Sequence, residues 1–156
     1  MKKLVPLVIG GAMLGTSICG YVSAQSPPRD LAQEEINRTL VIKFYDRFFN
    51  QHQVDEAAKM VAENYRQHNP TVPDGKEPFV SYYRDFFKKV PTSRARIIRS
   101  SVDGDIAWLH VHSTNNEKDH GEAVVDIFRV RDGIIVEHWD VIQAVPEAAE
   151  NNNTMF

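Results

Sequence analysis

The feature that most constrains this chain is a predicted β-hairpin over residues 121–145, with the sequence GEAVVDIFRVRDGIIVEHWDVIQAV. Two runs rich in β-branched and aromatic residues flank Asp132-Gly133, and this dipeptide between such runs is typical of a tight hairpin turn. Side chains alternate between the faces of a strand, so His138 and Asp140 share one face of the second run. An imidazole and a carboxylate among apolar neighbours predict a chemically active site.

Two registers of this hairpin fit the sequence, and they differ in the position of Asp126. A two-residue loop at Asp132-Gly133 places the Asp126 side chain on the face opposite to that of Asp140. A three-residue loop with Gly133 in a bulge instead places Asp126, His138 and Asp140 together. Both registers remain open at this point.

The first 24 residues predict a secretory signal peptide. Lys2-Lys3 form its positive start, residues 4–18 form an apolar core, and Val22-Ser23-Ala24 supplies small residues before a cleavage site. Cleavage after Ala24 would release the protein into the periplasm or the medium; an uncleaved anchor and lipidation at Cys19 are the alternatives. Cys19 is the only cysteine, so the cleaved protein has no thiol for a disulfide, a nucleophile or a metal ligand.

The rest of the chain has the size of one domain. It has 156 residues in all, a net charge of −3 and no basic stripe, so neither nucleic acid nor, after cleavage, a membrane is an expected partner. Residues 25–30 predict a flexible lead, residues 31–145 a folded domain, and residues 146–156 a polar tail that ends in Met155-Phe156.

The order of the periodic segments predicts an α+β fold. Apolar residues at helical spacing predict helices over residues 31–50, 54–63 and 76–90, with a short extended segment over residues 65–70. Strands follow over residues 94–102 and 106–114, joined by a tight turn at Asp103-Gly104, and the long hairpin comes last. Helices packed on one face of a curved antiparallel sheet would leave a cone with an open mouth, which is a natural ligand pocket.

Polar residues inside the predicted strands are the candidates for a site. The candidates for catalysis are Asp140, His112 and His68, and the candidates for substrate contact are His110, His138, Asp126, Trp108 and Tyr45. A buried polar group without a partner costs about 1–3 kcal/mol, so several on one sheet predict a shared polar cluster. Any single histidine among them also fits a plain hydrogen-bonded wall residue.

Three helices followed by strands that end in DIFRVRDGIIVEHWDV resemble the SnoaL-like polyketide cyclases. These enzymes belong to the nuclear-transport-factor-2-like superfamily, with ketosteroid isomerase and limonene epoxide hydrolase. The motifs YRQHNP, VDIFRVRDG and EHWDV carry the resemblance, which covers residues 31–145. It implies a cone-shaped barrel, in which a curved sheet wraps round about three N-terminal helices, with a deep pocket.

The resemblance also implies roles for particular residues. Asp140 matches the cyclase aspartate that acts as general acid and base in an aldol closure. The epoxide hydrolase has an Arg-x-Asp pair where this chain has His110-Val111-His112, which argues against the same hydrolytic triad. The family usually forms homodimers through the sheet, and Ile135, Trp139 and Val141 are the apolar residues expected on that outer surface.

The first functional hypothesis is an exported, cofactor-independent enzyme of the aldol cyclase, isomerase or hydratase type. It would move protons next to the carbonyl group of a small apolar molecule. Asp140 would be the base, and His112 or His138 would be a neighbouring imidazolium. His68 or His110 would donate a hydrogen bond to the developing enolate oxygen.

Two further functions fit the same residues. One is a non-catalytic periplasmic protein that binds a small apolar ligand in its pocket. The other is a metal site in which His110 and His112 bind one ion, completed by His68, His138 or Asp140. The first hypothesis includes neither a metal nor a cofactor.

Overall fold

The computed structural model describes residues 28–156, so the predicted signal peptide, Cys19 and the first part of the flexible lead lie outside the described residues. The first helix, α1, spans Leu31–Tyr45 and continues as one π-helical turn over Asp46–Asn50. Asp30 caps its N-terminus, because its side chain accepts a hydrogen bond from the Gln33 amide at 3.0 Å. None of the described helices is both long enough and apolar enough to cross a membrane.

The second helix is shorter than the sequence predicts. Helix α2 spans Val54–Ala57, a 3₁₀ turn follows over Ala58–Met60, and the chain is already extended in β1, Val61–Gln67. The predicted helix over residues 54–63 was therefore wrong at its end, because pairing of Val61 with the last strand overrides helical propensity there. Helix α3 spans Lys76–Lys89, close to its predicted range.

Five strands form one curved, unclosed sheet in the order β1-β5-β4-β3-β2. The remaining strands are β2 (Arg94–Asp103), β3 (Ile106–Thr114), β4 (Glu122–Arg131) and β5 (Ile134–Ala144). Strand β1 runs parallel to β5, and all other neighbours are antiparallel. The predicted α+β class and the curved sheet beside N-terminal helices are confirmed, and the parallel edge strand is an addition to the predicted meander.

The turn between β4 and β5 has a two-residue loop, which is one of the two loops that the sequence allows. Arg131 pairs with Ile134 across the turn. Asp132 and Gly133 both have positive φ angles, of 50° and 73°. Such angles at both central residues are those of the hairpin turn whose twist matches the flanking strands, which explains the Asp-Gly sequence.

One bulge in β5 determines which residues of β5 lie on the same face of the sheet as Asp126. The pairing of β4 with β5 skips Val136, and beyond that residue Asp126 pairs with Asp140. Without the bulge, Asp126 would pair with Trp139, and the side chains of Asp126 and Asp140 would lie on opposite faces of the sheet. Neither predicted register was therefore right as a whole: the loop has two residues, and the bulge lies at Val136 rather than at Gly133.

Aromatic side chains join the helices to the inner face of the sheet, which is the face turned toward the helices. Phe48 is fully buried, and its ring stacks on Phe79 with centroids 4.6 Å apart and an interplanar angle of 11°. Phe44 packs edge-on against Phe128 of β4 at 5.8 Å. Ile135 also lies in this core and is fully buried, so its predicted position on the outer surface was wrong.

The C-terminal tail lies on the outer face of the sheet, which is the face turned away from the helices. The ring of Phe156 stacks against His112 at 4.2 Å and approaches His110 at 5.7 Å. The end of the tail therefore covers part of the outer face.

We expect Phe48→Ala to lower the free energy of unfolding by about 3–5 kcal/mol, because the substitution leaves a cavity in a packed aromatic core. Urea unfolding followed by circular dichroism measures this change. Ile36→Ala is the control, since Ile36 is 58% exposed on α1 and its loss should change stability by no more than about 0.5 kcal/mol. Equal effects of the two substitutions would contradict the packing described.

Candidate functional site

A cavity of about 590 Å³ opens between the helices and the inner face of the sheet. Its size falls within the range of roughly 300–1,000 Å³ that is common for small-molecule sites. Nine aromatic side chains line it, namely Tyr45, Phe49, Tyr65, Phe79, Tyr82, Tyr83, Phe86, Phe87 and Phe128. The polar side chains in it include Gln67, Asn69, Asp126, His138 and Asp140.

Asp126 and His138 form a buried pair in this cavity, and each residue is 7% exposed. His138 Nε2 lies 2.9 Å from Asp126 Oδ1, and the Tyr45 hydroxyl donates a hydrogen bond to Asp126 Oδ2 at 2.6 Å. On the other side of the imidazole ring, His138 Nδ1 lies 2.8 Å from Gln67 Oε1. Every polar side-chain atom of the pair therefore has a partner, as a buried ionisable pair requires.

Asp140 is less buried than this pair and is held on one side only. The Asn69 amide nitrogen donates a hydrogen bond to Asp140 Oδ2 at 2.7 Å. The Thr71 amide and hydroxyl both donate to Asn69 Oδ1, at 2.9 and 2.7 Å, which fixes the orientation of the Asn69 amide. One polar atom from each of Asp126, His138 and Asp140 lies within 4.8 Å of the other two.

Three tyrosines of the cavity remain protonated. Burial and then the nearby Asp126 carboxylate raise the pKa of Tyr45, Tyr65 and Tyr83 above the usual value for a phenol. The Tyr45 hydroxyl is committed to Asp126. Tyr65 and Tyr83 therefore bring neutral hydroxyl groups, which can donate hydrogen bonds, to the wall of the cavity.

The structure does not bring the β3 candidates into the cavity. Trp108, His110 and His112 share one face, as the alternation predicts, but it is the outer face. Leu109 and Val111 occupy the inner face and are 1% and 0% exposed. Burial of the apolar set decides which face of β3 meets the core, so the histidines take the other face.

The outer-face histidines of β3 have partners of their own. His110 Nδ1 accepts a hydrogen bond from Arg99 at 3.0 Å, and His112 Nε2 donates to the His120 carbonyl oxygen at 2.9 Å. Because these two histidines and the cavity residues lie on opposite faces, the predicted metal site with His138 or Asp140 as a further ligand was wrong. Within residues 28–156, one group of three potential ligand residues lies close enough to bind an ion, and it consists of Asp126, His138 and Asp140.

His68 also lies on the outer face. Its ring stacks on Trp139 at 4.5 Å with an interplanar angle of 7°, and its Nε2 lies 2.8 Å from Glu137 Oε1. The His68 hydrogen bond and the Arg129 guanidinium hold the pKa of Glu137 below its usual value. Of the eight predicted site residues, the structure thus brings four together in the cavity, Tyr45, Asp126, His138 and Asp140, and places the other four outside it.

Sequence reasoning missed Gln67, Asn69 and Tyr83. Gln67 and Asn69 alternate with His68 in the motif YRQHNP, so an outward His68 places both amides on the inner face. The alternation was therefore a usable signal, because only the face of His68 had to be known to place both amides. Tyr83 had no comparable signal, because its spacing in α3 is that of an ordinary core aromatic residue.

Comparison with known proteins agrees with this architecture. The family profile described as a SnoaL-like domain matches residues 41–138. A candidate ketosteroid isomerase from Kribbella flavida DSM 17836 has 20% identity over 80% of this chain and 90% of its own, with a TM-score of 0.63. A candidate polyketide cyclase from Bacillus cereus ATCC 10987 has 25% identity over 69% and 74% of the two chains, with a TM-score of 0.57.

An NTF2-like protein of unknown function from Mesorhizobium loti has 23% identity over 76% of this chain and 98% of its own, with a TM-score of 0.61. No curated protein sequence matches the chain. The structural neighbours show the fold, and the family profile spans more than half of the chain. The chain therefore belongs to the SnoaL-like domain family and has the NTF2-like fold.

Proposed function

We propose that this protein is a cofactor-independent enzyme that moves a proton at a carbon next to a carbonyl group. The observation that carries the proposal is the position of Asp140, a carboxylate held by Asn69 beside the Asp126–His138 pair in an aromatic cavity. Two of its structural neighbours are named as a candidate isomerase and a candidate cyclase, and these names suggest the same class of chemistry. Reactions of this class include isomerisation and aldol closure.

Asp140 is better suited than Asp126 to be the base. Both oxygens of Asp126 already accept hydrogen bonds, from Tyr45 and on the side of His138. Asp140 has one oxygen held by Asn69, and its Oδ1 has no hydrogen-bond partner within residues 28–156. A positioned carboxylate with one free oxygen, in a cavity lined in part by aromatic side chains, can accept a proton from a bound substrate.

The tyrosines supply the donor that an enolate requires. When Asp140 removes the α-proton, the C–H electron pair forms the enolate double bond and negative charge develops on the carbonyl oxygen. Neutral phenols of Tyr83 and Tyr65 line the same cavity and would donate hydrogen bonds to that oxygen. These phenols take the role that the sequence assigned to His68 or His110, because both histidines lie on the outer face.

The fate of the enolate then defines the reaction. In an isomerase Asp140 would return the proton to a different carbon. In a cyclase the enolate carbon would form a bond to the carbon of a second carbonyl group in the same molecule, the π electrons of that group would move to its oxygen, and the oxygen would take the proton back from Asp140. The aromatic wall and the volume of about 590 Å³ favour a flat, mostly apolar substrate of moderate size. The remaining candidates for substrate contact are Tyr45, Asp126 and His138, which lie in the cavity.

Export and self-association are parts of the proposal that depend on the sequence. The signal peptide would place the mature protein in the periplasm or the medium, and the partners would be a small carbonyl compound and a second copy of the chain. Trp139 lies on the outer face, and Val141 of the same face is 66% exposed, which supports a sheet-to-sheet homodimer.

We expect the native mass of the protein recovered from its host to equal twice that of a chain beginning at Gln25. Cleavage after the small residues at positions 22–24 and pairing of the outer faces are the reasons. Native mass spectrometry, followed by denaturation of the same sample, gives both values. A chain that still begins at Met1 would contradict cleavage, and a monomer at micromolar concentration would contradict the dimer.

We expect Asp140→Asn to slow proton exchange by roughly 10²- to 10⁴-fold, because the amide keeps the shape of the side chain but cannot accept the proton. Incubation of cyclic enones and 1,3-diketones in D₂O, with NMR detection of deuterium next to the carbonyl, measures the first step whichever reaction follows.

The matched control is Asp103→Asn, since the Asp103 side chain is 83% exposed at the end of β2. It should exchange at the rate of the unchanged protein. Full activity of Asp140→Asn would show that the base lies elsewhere. If the unchanged protein binds these ketones without exchanging their hydrogens, a non-catalytic binding protein becomes the better assignment.

A further inference from the structure

The proposed function gives no role to Gln67, although this residue touches the most buried ionisable pair in the cavity. Strand β1 runs parallel to β5, and Gln67 lies in register with His138. Its side chain reaches inward to His138 Nδ1, whereas the neighbouring His68 points outward.

The orientation of the Gln67 amide follows from a second contact. The backbone N–H of Asn69 donates a hydrogen bond to Gln67 Oε1 at 3.0 Å. A backbone N–H can only donate, so the atom that it meets is the oxygen of the amide. The same oxygen lies 2.8 Å from His138 Nδ1, and that nitrogen must therefore carry a hydrogen.

The other side of the ring then requires a proton as well. His138 Nε2 and Asp126 Oδ1 are 2.9 Å apart, which two lone pairs facing each other would not allow. One proton must lie between them. The Tyr45 hydroxyl donates to the second oxygen of Asp126, which favours the ionised carboxylate and places that proton on the imidazole.

We propose that Gln67 is a positioning residue that keeps His138 doubly protonated, so that its positive charge offsets the paired carboxylates of Asp126 and Asp140. Asn69 completes the arrangement from the same segment. Its backbone orients Gln67, and its side chain holds Asp140. The consequence for catalysis rests on the proposed function, whereas the protonation of His138 does not.

The test compares Gln67→Met, which has similar length but no acceptor, with Gln67→Glu, which retains an oxygen acceptor. Nitrogen NMR of ring-labelled histidine in the full chain reads the hydrogens on each ring nitrogen, and the signal lost in His138→Gln assigns the ring. We expect hydrogen on both nitrogens of His138 in the unchanged protein and in Gln67→Glu. In Gln67→Met we expect loss of the Nδ1 hydrogen, because its acceptor is absent.

Arg66→Met is the matched control, since Arg66 is the preceding residue of β1 and is exposed. It should leave the His138 signals unchanged, and thermal unfolding of all variants shows which are folded. A neutral His138 with a bare Nδ1 in the unchanged protein would overturn the proposal. So would a folded Gln67→Met variant whose His138 signals match those of the unchanged protein.

Proton exchange into ketones in D₂O separates this proposal from the proposed function. Loss of a hydrogen bond to a charged group corresponds to roughly a 10- to 100-fold effect, so exchange by Gln67→Met should slow by that factor and recover in Gln67→Glu. If the NMR result holds but no form of the protein exchanges ketone hydrogens, the positioning role stands and the proposed reaction fails. If exchange occurs and the His138 signals do not respond to Gln67→Met, the positioning role fails alone.

Discussion

Asp126 and Asp140 lie directly opposite each other on neighbouring strands, and like charges in that arrangement repel. The site depends on the groups that make this arrangement tolerable. His138 meets Asp126 on one oxygen and Tyr45 meets it on the other, while Asn69 donates to Asp140. Each donor stabilises negative charge that a cavity with aromatic walls solvates poorly.

The bulge at Val136 is what creates this opposition. Strand pairing has a period of two, so one skipped residue moves every later side chain of β5 to the other face relative to β4. With the bulge, Phe128 of β4 pairs with His138, and their ring centroids are 4.8 Å apart on the inner face. Bulges also bend and twist a strand, so the same residue helps to curve the sheet round the cavity.

Much of the fold could be predicted from the sequence because several independent patterns indicate the same elements. The Asp132-Gly133 turn, the alternation in β3 and the helical spacing of the aromatic residues each predict their elements independently. The predicted end of the second helix failed because Val61 pairs with β5, and that contact is distant in sequence. A local sequence pattern cannot reveal a parallel partner strand that lies more than 70 residues away in the chain.

The site was harder to predict from the sequence, for two physical reasons. Alternation shows which residues share a face of a strand but not which face meets the core. In β3 the alternate apolar residues determine which face is buried. Burial of a side chain such as Leu109 contributes about 1.5–3 kcal/mol to folding, which is more than burial of a histidine side chain contributes. The position of Asp126 depended on a bulge at Val136, a valine that no sequence rule distinguishes from its neighbours.

Strand β1 has a larger part in the site than its position at the edge of the sheet suggests. Because β5 lies between β1 and β4, His138 has a neighbour on each side, Phe128 from β4 and Gln67 from β1. Without β1, the Nδ1 side of the ring would lie at an open sheet edge, where water would satisfy it and either protonation state would be accommodated. The parallel strand replaces that water with one fixed acceptor, and a fixed acceptor selects a single hydrogen-bonding state of the imidazole. The motif that supplies this acceptor also supplies the group that holds Asp140, so a short segment after α2 orients both His138 and Asp140 in the cavity.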